Sequence, residues 1–257
     1  MMDKEEQSVT FNCDECDTIV KGHDRFCYNC GAYLGYNAEQ VSIYNNYQLR
    51  AAFIFYLIYL VVCLLVKSTS WFTSYDQIFW VEILLALVTI YFVRINRQAL
   101  KPALKFKTFS FAVTGAIVLF AAVFAFVVNI SMSKLNVSLF KTDNNLYDVY
   151  DMYQLPVLVM IYSVAIMPAV FEELAFRGVL YKYLESFLDE RLVVMITGFA
   201  FAAMHLSFIS LVWLIPMGIV LGALRKKYHT IWYGVIFHFI FNLTACLMDL
   251  YKEGMLW

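Results

Sequence analysis

The sequence predicts an all-α polytopic membrane protein: a bundle of about seven transmembrane helices with a small cysteine-rich module at its N-terminus. Three observations carry this. The 257 residues are 62% hydrophobic and only 15% charged, where soluble domains sit near about half apolar and a quarter charged. Apolar runs of membrane-spanning length recur along the chain. Four of the six cysteines fall within one short N-terminal block.

The first element is that block. Cys13-Asp-Glu-Cys16 and Cys27-Tyr-Asn-Cys30-Gly31 are two C-x-x-C knuckles. Four thiolates at this spacing can close a tetrahedral zinc site of the ribbon kind, and such a closed site is structural. Gly31 suits the tight turn a knuckle needs. So small a stretch has little core, so the metal supplies the folding energy. The alternative is a pair of disulfides, which a reducing cytoplasm disfavours. His23, between the knuckles, is an available but unneeded ligand. The expected boundaries are 1–34 for the ribbon and 35–49 for a polar, tyrosine-containing linker. Cys63 and Cys246 stand alone in apolar helices and read as small hydrophobes.

The membrane part divides into N-terminal helices and loops over 50–154, a core over 155–250 and a tail over 251–257. Its apolar runs are Arg50–Val66, Ile78–Val93, Thr108–Met132, Leu155–Leu180, Leu192–Ile209, Leu211–Leu224 and Thr230–Leu250. Met1–Asn12 is polar and acidic, without the apolar centre of a signal peptide, so the first membrane helix is expected to act as the targeting signal. Lys and Arg set the orientation. Arg94, Arg97, Lys101, Lys105 and Lys107 make one basic loop, and Arg225-Lys226-Lys227 makes another. Both belong on the cytoplasmic side. The loop 133–154, with Asp143, Asp148 and Asp151, belongs outside. The N-terminus is then cytoplasmic. Trp71, Tyr75, Trp80, Trp213, Trp232 and Tyr233 near run ends fit interfacial belts. The net charge of −1 excludes a generally basic nucleic-acid surface. The segment 181–191 is amphipathic and either extends the fourth membrane helix or lies at the interface.

Three of the apolar runs carry groups that a bilayer rejects, at about 2.5–3.5 kcal/mol for each ionised side chain. They are Glu172-Glu173-x-x-x-Arg177, Phe201-x-x-x-His205 and His238-x-x-x-Asn242. Glu173 and Arg177 share a helix face and can pair, which makes their burial tolerable. Glu172 points about 100° away and is free for other work. Pro168, one turn upstream, can kink the helix and admit water. Taken singly, each polar group has a bland reading: an ion cluster, a satisfied histidine, an asparagine gluing helices. Taken together they suit hydrolysis. Glu172 with His205 can hold and deprotonate water; His238 and Asn242 can donate to the developing oxyanion. Ser207, near His205, carries little weight as a nucleophile.

The ordered set E-E-x-x-x-R, F-x-x-x-H, H-x-x-x-N resembles the CPBP family, also called Abi, of CAAX prenyl endopeptidases and bacteriocin-processing or self-immunity proteins. The resemblance covers about residues 155–245. It implies an all-helical intramembrane endopeptidase in which Glu172 activates water with His205, His238 and Asn242 form the oxyanion site, and Glu173 and Arg177 complete the first motif. The ribbon lies outside that core and reads as an accessory module that docks a protein partner or the substrate. With a cytoplasmic ribbon on a short core, the resemblance favours a prokaryotic plasma membrane and maturation of a bacteriocin or signalling peptide. Members are often labelled metalloproteases, and two histidines with a glutamate can ligate zinc. The absence of H-E-x-x-H and the poor ligand quality of Asn242 favour a metal-free glutamate protease. A non-proteolytic immunity or binding scaffold and a proton-relay transporter are the competing readings.

Overall fold

The computed structural model describes residues 10–21, 24, 26–34, 46–72, 74–106, 109–141 and 145–255. His23, Lys107, Asp143 and most of the expected linker lie outside the described residues. The chain forms two compact units, Met1–Asn45 and Asn46–Trp257.

In the first unit, strand β1 (Thr10–Asn12) pairs antiparallel with β2 (Ile19–Lys21), Phe11 opposite Val20. The first knuckle makes the connection between them. The second is closed by the bridge between Phe26 and Tyr33. The two knuckles repeat one backbone device. Asp17 N–H donates to Cys13 O, and Gly31 N–H donates to Cys27 O. Asp17 and Gly31 both take positive φ, at 57° and 74°. Glycine meets that demand without strain, and aspartate is among the few other residues that tolerate it.

The second unit is all helical among the described residues. Its helices are α1 (Tyr47–Ser68), α2 (Tyr75–Ile95), a single turn α3 (Arg97–Leu100), α4 (Phe111–Phe140), α5 (Pro156–Leu184), α6 (Glu190–Met204), α7 (Leu211–Tyr228) and α8 (Trp232–Lys252). Local sequence sets their starts. Asn46 accepts from Leu49 N–H, Ser110 from Val113 N–H, and Asp189 from Arg191 and Leu192 N–H, each serving as an N-cap. Pro156 opens α5 at a position where a missing N–H costs nothing.

Five of these helices, α1, α2, α4, α5 and α8, are long and apolar enough to cross a membrane. The protein is an integral membrane protein. The two remaining apolar runs form shorter helices: α6 has 15 residues and α7 has 18, with Arg225, Lys226 and Lys227 in its last turn. At 1.5 Å per residue α6 reaches only about 22 Å, short of a hydrocarbon core of about 30 Å. The amphipathic segment resolves as a continuation: α5 runs on to Leu184 before the chain turns. Glu172 therefore stands near the middle of a 29-residue helix.

Helices α6 and α7 form an antiparallel hairpin. Lys226 Nζ lies 3.5 Å from Glu190 Oε2 at one end. Further along, Gly222 faces Val194, and Gly218 faces Gly198 so closely that a Cβ on Gly218 would come within 2.6 Å of Gly198 O. Small residues at this crossing let two backbones touch. The hairpin turn begins immediately after His205, where Leu206 takes a φ of 48°. A left-handed leucine costs roughly 1–2 kcal/mol, so the packing of the two helices holds that reversal.

Helix α8 packs on α4 through Phe237 and Phe241 against Phe120 and Phe124. Helix α1 meets α2 and α5 through Phe55, Tyr59, Phe92 and Phe176. The loops before α4 and before α8 are tied together: Ile231 N–H donates to Ala103 O, Trp232 Nε1 to Leu104 O, and Ser110 N–H to Tyr233 OH. Tyr75 and Tyr233 are buried and hydrogen-bonded or stacked within the bundle, unlike Trp71 and Trp80, which point outward as an interfacial belt requires.

Candidate active site

The site is built on a distorted helix. Two stretches of α5, Ile161–Ile166 and Glu173–Leu180, widen to π geometry, flanking a short α-helical segment with Pro168 near its start. Such widening is common where a helix carries function. It also has a local cause and a local remedy. Pro168 has no N–H for the carbonyl of Val164, four residues back. The Asn242 amide donates to that carbonyl from α8 at 2.7 Å. Asn242 thus replaces the backbone donor that proline removes, and so ties α8 to α5 about two turns before Glu172.

Glu173 and Arg177 are completely buried. Arg177 Nη1 donates to Glu173 Oε1 at 2.8 Å, and Nη2 donates to Gly218 O at 2.9 Å across the bundle. The guanidinium lies over the Phe201 ring, 4.6 Å from its centroid. The backbone carbonyl of Arg177 in turn accepts from Arg225 Nε at 3.2 Å. The carboxylate fits because residue 234 is glycine: a Cβ there would stand 2.6 Å from Glu173 Oε2. Buried charges persist when paired and hydrogen-bonded in this way. The ion pair expected from the i, i+4 spacing is therefore present, with three partners that the spacing does not show: Gly218 O, Phe201 and Gly234.

His238 is buried between the two glutamates. Its Nδ1 lies 3.3 Å from Glu173 Oε1, and its Nε2 lies 3.9 Å from Glu172 Oε2. The first is a long hydrogen bond; the second is beyond hydrogen-bond length. His205, exposed at the C-terminal end of α6, has Nδ1 3.1 Å from Phe201 O. With Nδ1–H donating to that carbonyl, Nε2 carries the lone pair. Glu172 Oε2 is buried and has no hydrogen-bond partner within the protein.

Two cavities meet at this point. One, of about 160 Å³, lies among α1, α2, α5 and α6, and is lined by Tyr59, Glu82, Leu85, Phe171, Phe176 and Met204 among others. The second, of about 200 Å³, is lined by Phe201, Trp213, Met217, His238 and Asn242. Pro168, Glu172 and His205 line both.

Residues 154–244 match the family model described as type II CAAX prenyl endopeptidase, Rce1-like. The chain carries an Rce1-like endopeptidase domain. The family is one of proteases, and the matched segment contains all six polar residues of the three motifs. No curated protein and no solved structure matches the chain. The match begins just before α5 and ends within α8, leaving α1, α2 and α4 outside it.

The four ribbon cysteines also converge. Their sulfurs all lie within 4.8 Å of one another, with Cys13 Sγ 3.7 Å from Cys30 Sγ and Cys16 Sγ 3.5 Å from Cys27 Sγ. Tetrahedral zinc with Zn–S near 2.3 Å spaces its sulfurs about 3.8 Å apart, so the set fits zinc. Hydrogen bonds from the Thr18 side chain and backbone pull the Cys16 thiol down to about 6, which favours the thiolate a metal needs. Among the described residues this is the one group whose ligand atoms converge for a metal; Glu172, His205 and His238 do not converge in that way.

Sequence reasoning missed Glu82. It sits on α2, outside every motif, and a single carboxylate in an apolar run has no spacing signal beyond its cost in a membrane. That cost was the available clue.

Proposed function

We propose that this chain is an intramembrane endopeptidase that hydrolyses a peptide bond in a membrane-associated peptide or protein, with water activated by Glu172 and His205. The observation that carries the reading is the division of labour between adjacent glutamates. Glu173 is paired through Oε1 with Arg177 and His238 and lines neither cavity, whereas Glu172, whose Oε2 has no hydrogen-bond partner in the protein, stands where the two cavities join. A carboxylate fixed at a junction of cavities can hold water against a carbonyl lying between them. His205 Nε2, unprotonated in the tautomer its Phe201 contact selects, accepts the proton. His238 and Asn242 line the same cavity and serve the oxyanion, Asn242 through its second amide hydrogen and His238 through Nε2 in the imidazolium form, since Nδ1–H is taken by Glu173 Oε1. The first amide hydrogen, held by Val164 O, fixes the direction of the second. The reaction needs no metal in this scheme.

The hairpin α6–α7 completes a bundle of seven membrane helices, its open ends with Glu190 and Lys226 on the cytoplasmic side. The N-terminus is cytoplasmic, as the basic Arg94–Lys105 loop requires. The ribbon binds one structural zinc and recruits substrate or a protein partner. The substrate is a bacteriocin or signalling peptide of a prokaryotic plasma membrane.

The test compares membrane and secreted peptides from cells carrying wild type or Glu172→Gln at matched protein level, read as new peptide termini by mass spectrometry. Specific termini that vanish in the variant identify the substrates. Matching peptide pools, with a deletion phenotype that Glu172→Gln rescues, would end the protease reading.

A further inference from the structure

The cavity among α1, α2, α5 and α6 holds a second carboxylate. Glu82 projects into it from α2, and its Oε2 is buried with no hydrogen-bond partner. Among the described residues it joins no ion pair. The nearest machinery offers it no cation: Arg177 is spent on Glu173 and Gly218 O, and the lysines and remaining arginines of the unit sit in helix ends and loops. A carboxylate in a membrane helix is expensive when nothing compensates it. The lining around it is mostly apolar, with Leu85, Ala86, Phe171, Phe176 and Met204, and Glu82 and Glu172 are its two carboxylates. Glu172 and His205 line the same cavity, so what fills it lies directly beside the reacting carbonyl. A mostly apolar cavity with an unpaired carboxylate beside the reacting one is the complement of a lysine or arginine side chain, whose methylene stem packs on hydrocarbon while its head carries the charge.

We propose that Glu82 is a specificity-determining residue that receives the cationic head of a lysine or arginine side chain adjacent to the scissile bond. The inference rests on the endopeptidase reading and adds the substrate feature that reading lacks. It also gives α2, which lies outside the matched endopeptidase domain, a direct part in substrate choice.

The experiment uses the full-length protein in lipid nanodiscs and a library of quenched fluorescent peptides with a common apolar anchor. Each position flanking the scissile bond is in turn lysine, arginine, norleucine, glutamine or glutamate. Wild type, Glu82→Gln, Glu82→Asp, Glu82→Lys and Glu172→Gln are compared. At one flanking position wild type should prefer the basic residues over norleucine by about tenfold or more in kcat/KM. Glu82→Gln should lose that preference while cleaving the norleucine peptide within about threefold of wild type. Glu82→Asp should keep the preference, and Glu82→Lys should shift it toward glutamate. A wild-type profile indifferent to basic residues overturns the proposal. So does an equal loss across all peptides in both Glu82→Gln and Glu82→Asp, which would assign Glu82 to the water or the fold. Wild-type cleavage no higher than that of Glu172→Gln on every peptide sinks the endopeptidase reading itself, a result distinct from either.

Discussion

Replacing Asn242 by alanine tests whether its amide repairs the helix that Pro168 breaks. Pro168 offers no N–H to the Val164 carbonyl, and Asn242 Nδ2 supplies one from 2.7 Å. An unpaired buried acceptor costs about 1–3 kcal/mol in general. Hydrogen bonds between membrane helices measure smaller, averaging about 0.6 and reaching about 1.7 kcal/mol, because the unfolded chain in the membrane also finds partners. The Asn242→Ala cost to stability should therefore fall near 1 kcal/mol, on the order of the upper half of that membrane range. In a Pro168→Ala background the backbone itself can satisfy Val164 O, and the same Asn242→Ala change should cost little. The assay is a double-mutant cycle of denaturant unfolding in detergent, with wild type, both single variants and the double variant. Activity adds a second reading. If Asn242 also serves the oxyanion, Pro168→Ala restores stability but leaves kcat down by about 10² in the double variant. Additive stabilities, with a coupling under about 0.3 kcal/mol, would refute the link between Pro168 and Asn242.

The two adjacent glutamates should separate cleanly. Glu173→Gln strands a buried arginine and should destabilise the protein by about 3–5 kcal/mol, seen as a lower unfolding midpoint and lower membrane yield; Glu172→Gln should keep the wild-type midpoint and lose peptide cleavage. Gly234→Ala puts a Cβ 2.6 Å from Glu173 Oε2, and the overpacking should cost about 1–3 kcal/mol; an unchanged thermal midpoint would mean that the carboxylate has room to move. Chelating zinc from the full-length protein should open Thr10–Leu34 to limited proteolysis and leave the helical unit protected, while metal analysis of the untreated protein should find one zinc per chain; a ribbon equally resistant after chelation would show that its strands hold without metal.

Much of this arrangement can be read from the chain because it rests on local spacing. Glu173 and Arg177 pair since four residues bring two side chains onto one helix face, and the four cysteines converge since two C-x-x-C turns impose the same backbone on each half. The lengths of α6 and α7 are less legible. Hydropathy continues through Leu206–Ile209, but the left-handed Leu206 ends the helix at a turn that only the packing of Gly198 on Gly218 explains. Tyr75 and Tyr233 mislead for a related reason: a tyrosine near a helix end suits an interface and a buried hydrogen bond equally well, and tertiary partners decide between them. Glu82, Gly218 O and Gly234 matter through contacts across the bundle, which no spacing along one helix encodes.

The roles of Glu172 and Glu173 are distinguished by helix geometry rather than by residue type. Neighbours on an α-helix diverge by about 100°, so only one of the two glutamates lies on the face that Arg177 shares. Arg177 and Gly234 claim one of them, and the stretch of π geometry beginning at Glu173 sets where the other points. His238 touches the buried glutamate with one ring nitrogen and faces the free one with the other. Any change that moves the Glu173–Arg177 pair therefore moves His238, and through it the surroundings of Glu172. Conservative substitutions at Arg177 or Gly218 should then lower kcat without touching substrate, and a lysine at 177 should not rescue, because a single ammonium cannot donate to Glu173 and to Gly218 O with the planar fork that spans them. Full activity in Arg177→Lys would show that charge alone suffices, and that the bridge from α5 to α7 is not what holds the site in register.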